Sequence, residues 1–370
     1  MRPTVARVDL EAIRSNFRAI SNFLSTGPGA AGIIAVVKAN AYGHGAAEVG
    51  PALEQAGAAM LACADIEEGI VLRTAGVRVP ILVFGALGIS DLAGVFQHYL
   101  TPTISTPSAA RALQESAARH GSILKCHLKI DTGMNRLGFR HDNLARTLPE
   151  VASSRNLSIE AIYTHFATAD EPESPAFNDQ RERFEGASAA LRSLGIAPRA
   201  RHAANSAALL RDERVWYNFV RPGLLLYGIV PPPLAATLPL RPALSLHSRI
   251  VHVKGLRPGE GTGYGLQTIV DRPTTIAIVP AGYADGLDRR LAGRGHMLVR
   301  GRRAAVVGSV CMDMTTIDVT GTDVAPGDEV VIIGEQGTES IGVREMAASI
   351  GTIPYELLCR VGSRIERVYQ

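Results

Sequence analysis

The sequence predicts an α/β fold, a (β/α)8 TIM-like barrel followed by a mostly antiparallel β domain. From residue 11 to about 230, apolar runs typical of strands alternate with helix-like segments. After the prolines at 231–233, the chain changes to short runs rich in Val, Ile and Thr, separated by turn residues. No G-x-G-x-x-G turn follows the first apolar run, which favours a closed barrel over an open doubly wound sheet.

Eight apolar runs are the predicted barrel strands, and helix-like segments lie between them. The predicted strands are Ile33–Val37, Met60–Ala64, Pro80–Phe84, Tyr99–Ile104, Ile123–Ile130, Ser158–Thr164, Ala200–Ala204 and Trp216–Arg221. Several of the helices begin after Ser, Asn or Asp caps. They include Ala46–Ala56, Ile66–Ala75, Ser108–His120, Asn178–Leu194 and Ser206–Asp212. We therefore assign residues 1–240 to the barrel.

Residues 241–370 form the predicted β domain. Its strand-like segments are HSRIVHVKGL, TTIAIVP, HMLVRGRRAAVVG, MTTIDVT and DEVVIIG. Only Gly342–Ile350 and Tyr355–Arg360 have a helical pattern there. No internal repeat of fixed period stands out.

Composition excludes several classes of protein. The net charge of +3 over 370 residues comes from dispersed arginines, so no basic stripe indicates nucleic-acid binding. No signal-peptide core and no membrane-length apolar run is visible, so we expect a cytoplasmic chain without membrane contact. The four cysteines have no metal-ligand spacing, and we expect free thiols and no metal site.

Lysine is scarce in this chain. Of the 38 basic residues, only Lys38, Lys125, Lys129 and Lys254 are lysines. A lysine amine can lose its proton and attack a carbonyl, whereas arginine stays protonated. Lys38, which ends the apolar run of IIAVVKANAYGHG, is the best candidate for such chemistry, although for a lysine taken in isolation a surface role is the more common explanation.

Polar residues follow the predicted strands where a barrel places its chemistry, on the loops at the carboxyl ends. They are Lys38, Asp131, Asn135, Arg136, His165, Asn205, Ser206 and Arg221. Any one of them could be structural, but their common position predicts a site at one rim.

The motifs resemble those of the pyridoxal-phosphate-dependent alanine racemases. AVVKANAYGHG, HLKIDTGMNRLGF, YTHFATAD, HAANSAA, FVRPGLLLYG, GTGYG, AGYADGL, VGSVCMDM and IPYELLCR occur in the family's order over nearly the whole chain. The resemblance implies the same two domains, pyridoxal 5'-phosphate as cofactor, alanine as substrate, and a head-to-tail homodimer with shared active sites.

The resemblance also implies two catalytic residues. Lys38 carries the cofactor and serves as base on one face of the substrate, and Tyr264 of the partner subunit serves the other face. The apolar run before Lys38 is expected to lower the pKa of its amine by desolvation. Arg136 is the cation expected beside the tyrosine and near the cofactor's ring oxygen. Lys129 matches a position that many relatives carbamylate to hold that arginine.

Further roles follow from the same resemblance. Arg221 is expected to face the ring nitrogen of the cofactor, with His165 orienting it. The expected phosphate contacts are Tyr42, Ser206, Gly223, Leu224 and Tyr355. The neighbouring rim residue Asn205 is also expected to bind the cofactor. Met312 and Asp313 match the substrate-carboxylate region, with Arg136 beside it, and Tyr283 lines the entrance.

Four alternatives stay open at the level of sequence. They are a broad-specificity racemase, a non-catalytic pyridoxal-phosphate carrier, a decarboxylase of the related barrel fold and a cofactor-free Schiff-base aldolase. The β domain counts against the carrier, and the phosphate residues count against the aldolase. Cys311, beside the pocket motif, keeps the decarboxylase open.

Overall fold

The computed structural model describes residues 3–27, 29–87, 92–236 and 238–370. The chain forms two compact units. The barrel unit comprises Ile13–Ala41 and Ala46–Arg241, and the C-terminal unit comprises Met1–Ala12, Tyr42–Gly45 and Pro242–Gln370. The sequence predicts a single division of the chain, between residues 240 and 241. By its contacts, the C-terminal unit also includes two short segments from the N-terminal part of the chain.

The secondary structure alternates in the first 230 residues and then becomes mostly β. The strands are β1 (Val5–Val8), β2 (Gly32–Val36), β3 (Met60–Cys63), β4 (Ile81–Val83), β5 (Thr101–Ile104), β6 (Leu124–Asp131), β7 (Phe139–Arg140), β8 (Leu157–Tyr163), β9 (Ala200–Asn205), β10 (Phe219–Arg221), β11 (Leu244–Arg249), β12 (His252–Leu256), β13 (Gly261–Thr262), β14 (Thr268–Ile269), β15 (Thr274–Val279), β16 (His296–Val299), β17 (Arg302–Val307), β18 (Thr315–Asp318), β19 (Glu329–Gln336), β20 (Glu339–Ile341) and β21 (Glu366–Tyr369). The α-helices are α1 (Leu10–Leu24), α2 (Ala46–Gln55), α3 (Ile66–Thr74), α4 (Ala93–Gln97), α5 (Pro107–Arg119), α6 (Leu144–Thr147), α7 (Pro149–Ala152), α8 (Ala176–Ser193), α9 (Ser206–Arg211), α10 (Val343–Ser349) and α11 (Pro354–Cys359). Short 3₁₀ helices occupy Glu213–Val215, Leu224–Tyr227, Tyr264–Leu266, Tyr283–Asp285 and Arg289–Leu291.

A closed parallel barrel forms the barrel unit. Its strands pair in the order β2, β3, β4, β5, β6, β8, β9, β10 and back to β2. The predicted fold class is therefore confirmed. All eight predicted strands are present, and the largest difference is at the last, which begins at Phe219 because Tyr217 has a left-handed backbone with φ of 48°.

The barrel strands are apolar because they are covered on both sides. Strand β4 is buried throughout, and so are four of the five residues of β2. The helices outside them start at side-chain caps: Asp65 accepts a hydrogen bond from the Glu68 amide, and Thr106 accepts one from the Ala109 amide. Large side chains such as Tyr163 and Tyr227 are fully buried in this unit.

A long mixed sheet forms the C-terminal unit. Its strands run in the order β12, β15, β18, β17, β16, β19, β11, β1 and β21, and the neighbours pair antiparallel except for β1 and β21. Strand β1 joins this sheet because Val5–Val8 lies between Leu244–His247 and Glu366–Tyr369. Helices α10 and α11 match the two helical segments predicted there within about one residue at most ends. The helices that the structure describes include none long and apolar enough to cross a membrane.

Candidate active site

The rim residues lie at the carboxyl ends of the barrel strands. Arg221 ends β10, Asn205 ends β9, and Ser206 begins α9 directly after it. His165 follows β8 by two residues, and Lys38 follows β2 by two residues. In a parallel barrel these ends share one rim, so the topology brings the residues to the same face.

The chain turns in an uncommon way directly after Lys38. Ala39, Asn40 and Ala41 have φ near 53° and ψ near 50°, and Tyr42 has φ of 53°. Each non-glycine residue in this left-handed region costs roughly 1–2 kcal/mol. Consecutive residues persist in such a conformation only where surrounding contacts hold them.

Lys38 itself is exposed at the rim. The five residues before it are buried, and the first four of them belong to β2. The expected lowering of the Lys38 pKa by desolvation stays a prediction.

Arg221 is a buried cation of the barrel unit. It is 3% exposed, and its Nη2 donates to the carbonyl oxygens of Thr164 and Ala203 at 2.8 and 2.9 Å. Nη1 donates to Nδ1 of His202 at 2.9 Å, and Nη2 also contacts Nδ1 of His165 at 3.3 Å. No carboxylate pairs with it among the described residues, and burial lowers its pKa to about 10.

A chain of two histidines continues from Arg221 into the barrel. Because a guanidinium can only donate, Nδ1 of His202 must accept, and its Nε2 can donate to Nδ1 of His127 at 3.0 Å. Burial, with Arg221 second, lowers the pKa of His127 to about 4 and that of His202 well below its ordinary value. Both rings are therefore neutral at pH 7, and the tautomers are fixed by the arginine. The ring of Tyr163 stacks on His202 at 4.7 Å.

Sequence reasoning missed these two histidines. Both stand in motifs that were singled out, HLKI and HAAN, but inside strands rather than at their ends. The available signal was a histidine inside an apolar strand, two residues before Lys129 for His127 and three residues before Asn205 for His202.

Lys129 is a buried amine in the same strand as His127. It is 6% exposed, and its Nζ lies 5.0 Å from the centre of the Tyr163 ring. Burial first, then the charges of Arg221 and Arg136, lower its pKa to about 7, although Asp131 acts in the opposite direction. A neutral amine is therefore accessible near pH 7, close to the charges of Arg221 and Arg136.

Arg136 is presented by a tight loop after β6. Oδ1 of Asp131 accepts the amides of Gly133 at 3.0 Å and Asn135 at 3.1 Å, which closes the loop on itself. Asn135 has φ of 55°, and Gly138, at φ of 120°, passes so close to β6 that a Cβ would lie 2.8 Å from the Asp131 amide nitrogen. The loop leaves the Arg136 side chain exposed.

A small polar cradle lies between the ends of β9 and β10. Oγ of Ser206 accepts the amide of Gly223 at 2.9 Å, so its hydroxyl proton is available for an acceptor. Oδ1 of Asn205 caps α9 by accepting the amide of Ala208 at 2.9 Å. Leu224 is buried and begins the 3₁₀ helix that follows.

In the C-terminal unit, Tyr264 stands at the tip of a hairpin formed by β13 and β14. Gly263 and Gly265, both with φ of 75°, flank it, and Oγ of Ser309 donates to its carbonyl oxygen at 2.8 Å. The backbone is thus anchored while the side chain is 77% exposed. Leu266, the next side chain on the hairpin, is 58% exposed.

The other predicted residues of the C-terminal unit form separate groups. The rings of Tyr42 and Tyr355 lie 5.9 Å apart. Met312 is 52% exposed, and the neighbouring Asp313 pairs with Arg364 at 2.7 Å. The backbone amide of Tyr283 donates to the carbonyl of Cys311 at 2.9 Å.

Two family models match the chain. "Alanine racemase, N-terminal domain" matches residues 8–231, and "Alanine racemase, C-terminal domain" matches residues 243–369. The chain belongs to the alanine racemase family. The alanine racemases of Carboxydothermus hydrogenoformans and Halothermothrix orenii are 43% and 40% identical to it, over all of this chain and 100% and 97% of theirs.

Solved structures of the alanine racemase family have the same fold. The alanine racemase of D-cycloserine-producing Streptomyces lavendulae superposes with a TM-score of 0.95 at 34% identity, covering 100% of this chain and 97% of that one. The alanine racemase of Bartonella henselae with covalently bound pyridoxal phosphate gives 0.88 at 28% identity over the full length of both. The predicted family, racemase class and fold class are thereby confirmed.

The barrel rim of this alanine racemase family member fits an anionic pyridine cofactor. Nε of Arg221 has no hydrogen-bond partner among the described residues, so at least one donor of this guanidinium is available to a ligand. The hydroxyl proton of Ser206 and the basic side chains of Lys38, Lys129 and Arg136 complete the set. Within the described ranges, no cluster of His, Cys, Asp and Glu could hold a metal ion.

Proposed function

We propose that this protein interconverts L-alanine and D-alanine with pyridoxal 5'-phosphate, using Lys38 and Tyr264 on opposite faces of the substrate. One observation carries the proposal: among the described residues, a buried arginine at the barrel rim has no carboxylate partner, and its Nε makes no hydrogen bond. Few ligands need such a donor. A neutral ring nitrogen flanked by anionic groups is one.

When bound, the cofactor withdraws electrons from the substrate's α-carbon and makes its proton removable. Arg221 would donate to the ring nitrogen and, because guanidinium keeps its own proton, leave that nitrogen unprotonated. His165 and His202 accept from Arg221 and so hold it in place. A restrained electron sink favours returning the proton over side reactions such as transamination.

The phosphate would be held by hydroxyls and amides. Ser206 offers its hydroxyl proton, and Asn205, Gly223 and Leu224 belong to the same turn. Tyr42 and Tyr355, whose rings lie together in the C-terminal unit, are the proposed phenol contacts. Neutral donors suit a phosphate whose charge is balanced by Arg136 and the lysines nearby.

Tyr264 is proposed to act in the partner subunit's site, and the homodimer is the proposed active form. Its side chain is 77% exposed on an anchored hairpin, and Leu266, Ile269, Met312 and Met314 are exposed in the same unit at 50–65%. A second copy of the chain would cover these apolar groups. The cation expected near the phenol is Arg136, which would favour its ionised form.

Lys129 is proposed to be carbamylated. A neutral amine is needed to attack carbon dioxide, and burial together with Arg221 lowers the Lys129 pKa to about 7. The amine would lose a proton as the N–C bond forms, leaving an anionic carbamate beside Arg136 and Arg221. Intact-mass analysis in bicarbonate and in carbon-dioxide-free buffer checks this. The mass of the chain should increase by roughly 44 Da, one carbon dioxide, only in bicarbonate.

Substrate recognition is proposed for Met312, Asp313, Arg136 and Tyr283. A backbone amide in the Met312–Asp313 segment would bind the substrate carboxylate, and small side chains would fit best beneath it. A broad-specificity racemase is the alternative. Racemisation rates for alanine, serine, lysine and arginine discriminate the two.

The central experiment compares Lys38→Ala with Tyr264→Phe. Lys38→Ala should yield no borohydride-reducible adduct, whereas Tyr264→Phe should keep the adduct and lose about 10²-fold or more in turnover, since it removes one base. Lys254→Ala and Tyr99→Phe, an exposed lysine and an 83% exposed tyrosine, are matched controls. An adduct mapped to another lysine would defeat the proposal.

Mixing the two inactive variants tests the shared site. In a heterodimer, one site combines the intact Lys38 of one chain with the intact Tyr264 of the other. After subunit exchange, about a quarter of wild-type turnover should return by statistics if the tyrosine acts in trans. No recovery, with exchange demonstrated by mass, would place both bases in one chain.

A further inference from the structure

Glu68 makes a contact that no barrel-rim pattern explains. It lies in the first turn of α3, and its carboxylate accepts two backbone amides. Oε1 accepts the Ala39 amide at 2.5 Å, and Oε2 accepts the Ala64 amide at 2.8 Å. One side chain thus connects the segment that follows β2 with the segment that follows β3.

The Ala39 amide belongs to the left-handed turn that begins directly after Lys38. Two further hydrogen bonds hold this turn: Ala41 donates to the Val37 carbonyl at 2.8 Å, and Oδ1 of Asn40 accepts the Ala46 amide at 2.8 Å. Both of these lie within the turn or just after it. Glu68 alone among these partners comes from another strand–helix unit, and its contact is on the residue adjacent to Lys38.

The backbone of Glu68 is held at the start of its helix. The Glu68 amide donates to Oδ1 of Asp65, the N-cap of α3, at 2.9 Å. Its neighbour Glu67 is exposed and makes no hydrogen bond or ion pair with any described residue. Both acids lie at the same helix terminus, so both interact with the helix dipole. Only Glu68 accepts the backbone amides of Ala39 and Ala64.

We propose that Glu68 is a positioning residue that fixes the turn after Lys38 and so directs the Lys38 amine to the cofactor. This rests on the proposed function, in which Lys38 carries the cofactor. Both carboxylate oxygens are used, which a glutamine cannot reproduce, because its amide group offers one acceptor oxygen in place of two. The backbone at Ala39 would be free to relax to an ordinary conformation without it.

The test compares Glu68→Ala, Glu68→Gln and the matched control Glu67→Gln. In the apoprotein, amide hydrogen exchange at Ala39 should accelerate by about 10-fold or more in Glu68→Ala and remain unchanged in Glu67→Gln. The rate of cofactor attachment to Lys38, followed by absorbance and borohydride trapping, should fall by about 10-fold or more in Glu68→Ala and less in Glu68→Gln.

A rescue variant separates positioning from general stability. Ala39→Gly in the Glu68→Ala background supplies a residue that adopts positive φ without strain, so attachment should recover to at least about half its original rate. Ala64→Gly, at the other amide, should not rescue it. Unchanged exchange and attachment in Glu68→Ala, or a loss that Ala39→Gly leaves in place, would overturn the proposal.

Failure of the proposed function would look different. Wild-type protein would then form no adduct at Lys38, whereas the exchange of the Ala39 amide in the apoprotein would still respond to Glu68. If both results were negative, the positioning role would also be wrong.

Discussion

Arginines are used in opposite ways in the two units. In the barrel unit, Arg221 is 3% exposed and is bonded to carbonyl oxygens and neutral imidazoles. In the C-terminal unit, Arg303 pairs with Glu339 and Glu345, and its side chain is 35% exposed. The exposed cation is neutralised by its own chain, whereas the buried one is held in place and left uncompensated. An uncompensated buried cation is costly unless an anionic or electron-rich ligand completes it.

Lys129 extends this difference. Burial and the charge of Arg221 lower its pKa. Like charges therefore repel each other in the barrel unit, whereas Arg303 in the C-terminal unit is attracted to carboxylates. The region is therefore less stable than its packing alone would make it, as is common for sites built to receive a ligand. Variants that remove charge from each unit should have different consequences.

The largest effect is expected for Arg221→Gln. The substitution leaves the carbonyls of Thr164 and Ala203 and Nδ1 of His202 short of a donor in a buried place. At about 1–3 kcal/mol for each unsatisfied buried group, partly offset by the amide of Gln, we expect a loss of about 3–5 kcal/mol in the free energy of unfolding. Urea unfolding at pH 7 measures it. A loss below about 1 kcal/mol would mean that the guanidinium contacts contribute no more than surface contacts.

The next effect concerns Lys129 and pH. Its pKa is about 7 in the folded chain against an ordinary 10.5, so between these values the unfolded chain binds a proton that the folded chain has released. Stability therefore rises with pH across this window, and the destabilisation is fully present at and below about pH 7. Lys129→Met should be the more stable protein at pH 7, by about 2–3 kcal/mol, and the difference should shrink towards pH 10.

This comparison needs carbon-dioxide-free buffer, because a carbamate would remove the amine's titration. The remaining ionisable groups are the same in both proteins, so the difference between their unfolding curves isolates Lys129. Parallel curves from pH 7 to 10 would contradict the lowered pKa.

The fold could be predicted because each barrel strand is an apolar run between helix-like segments. The most displaced strand boundary, at Trp216, has a local cause: the indole is buried and its Nε1 donates to the Leu209 carbonyl, while Tyr217 has a left-handed backbone. In the sequence pattern, a buried aromatic residue next to a strand is assigned to that strand. Only the backbone angle separates the two.

Site residues at the ends of strands could be predicted from the sequence. Residues inside strands that hold those side chains in place could not. Arg221 and His165 were found by the rim rule, whereas His127 and His202 lie within strands and differ from core positions only by their polar atoms. Glu68 contacts the turn at Ala39, 29 residues earlier in the chain. Such a contact depends on strand order and helix placement, which no local pattern specifies.

The smallest effect is expected for Arg303→Gln in the C-terminal unit. The ion pairs with Glu339 and Glu345 join side chains that are 35–50% exposed, so solvent screens them. We expect a loss within ~1 kcal/mol at low salt and none resolvable near 1 M salt, where the Debye length is about 3 Å. Arg303 also lowers the pKa of Glu345, so the contribution should fade as pH falls towards and below that carboxylate's ordinary value of 4.5. If urea unfolding instead found a loss as large as that of Arg221→Gln, unaffected by salt, burial would not be what distinguishes the two arginines.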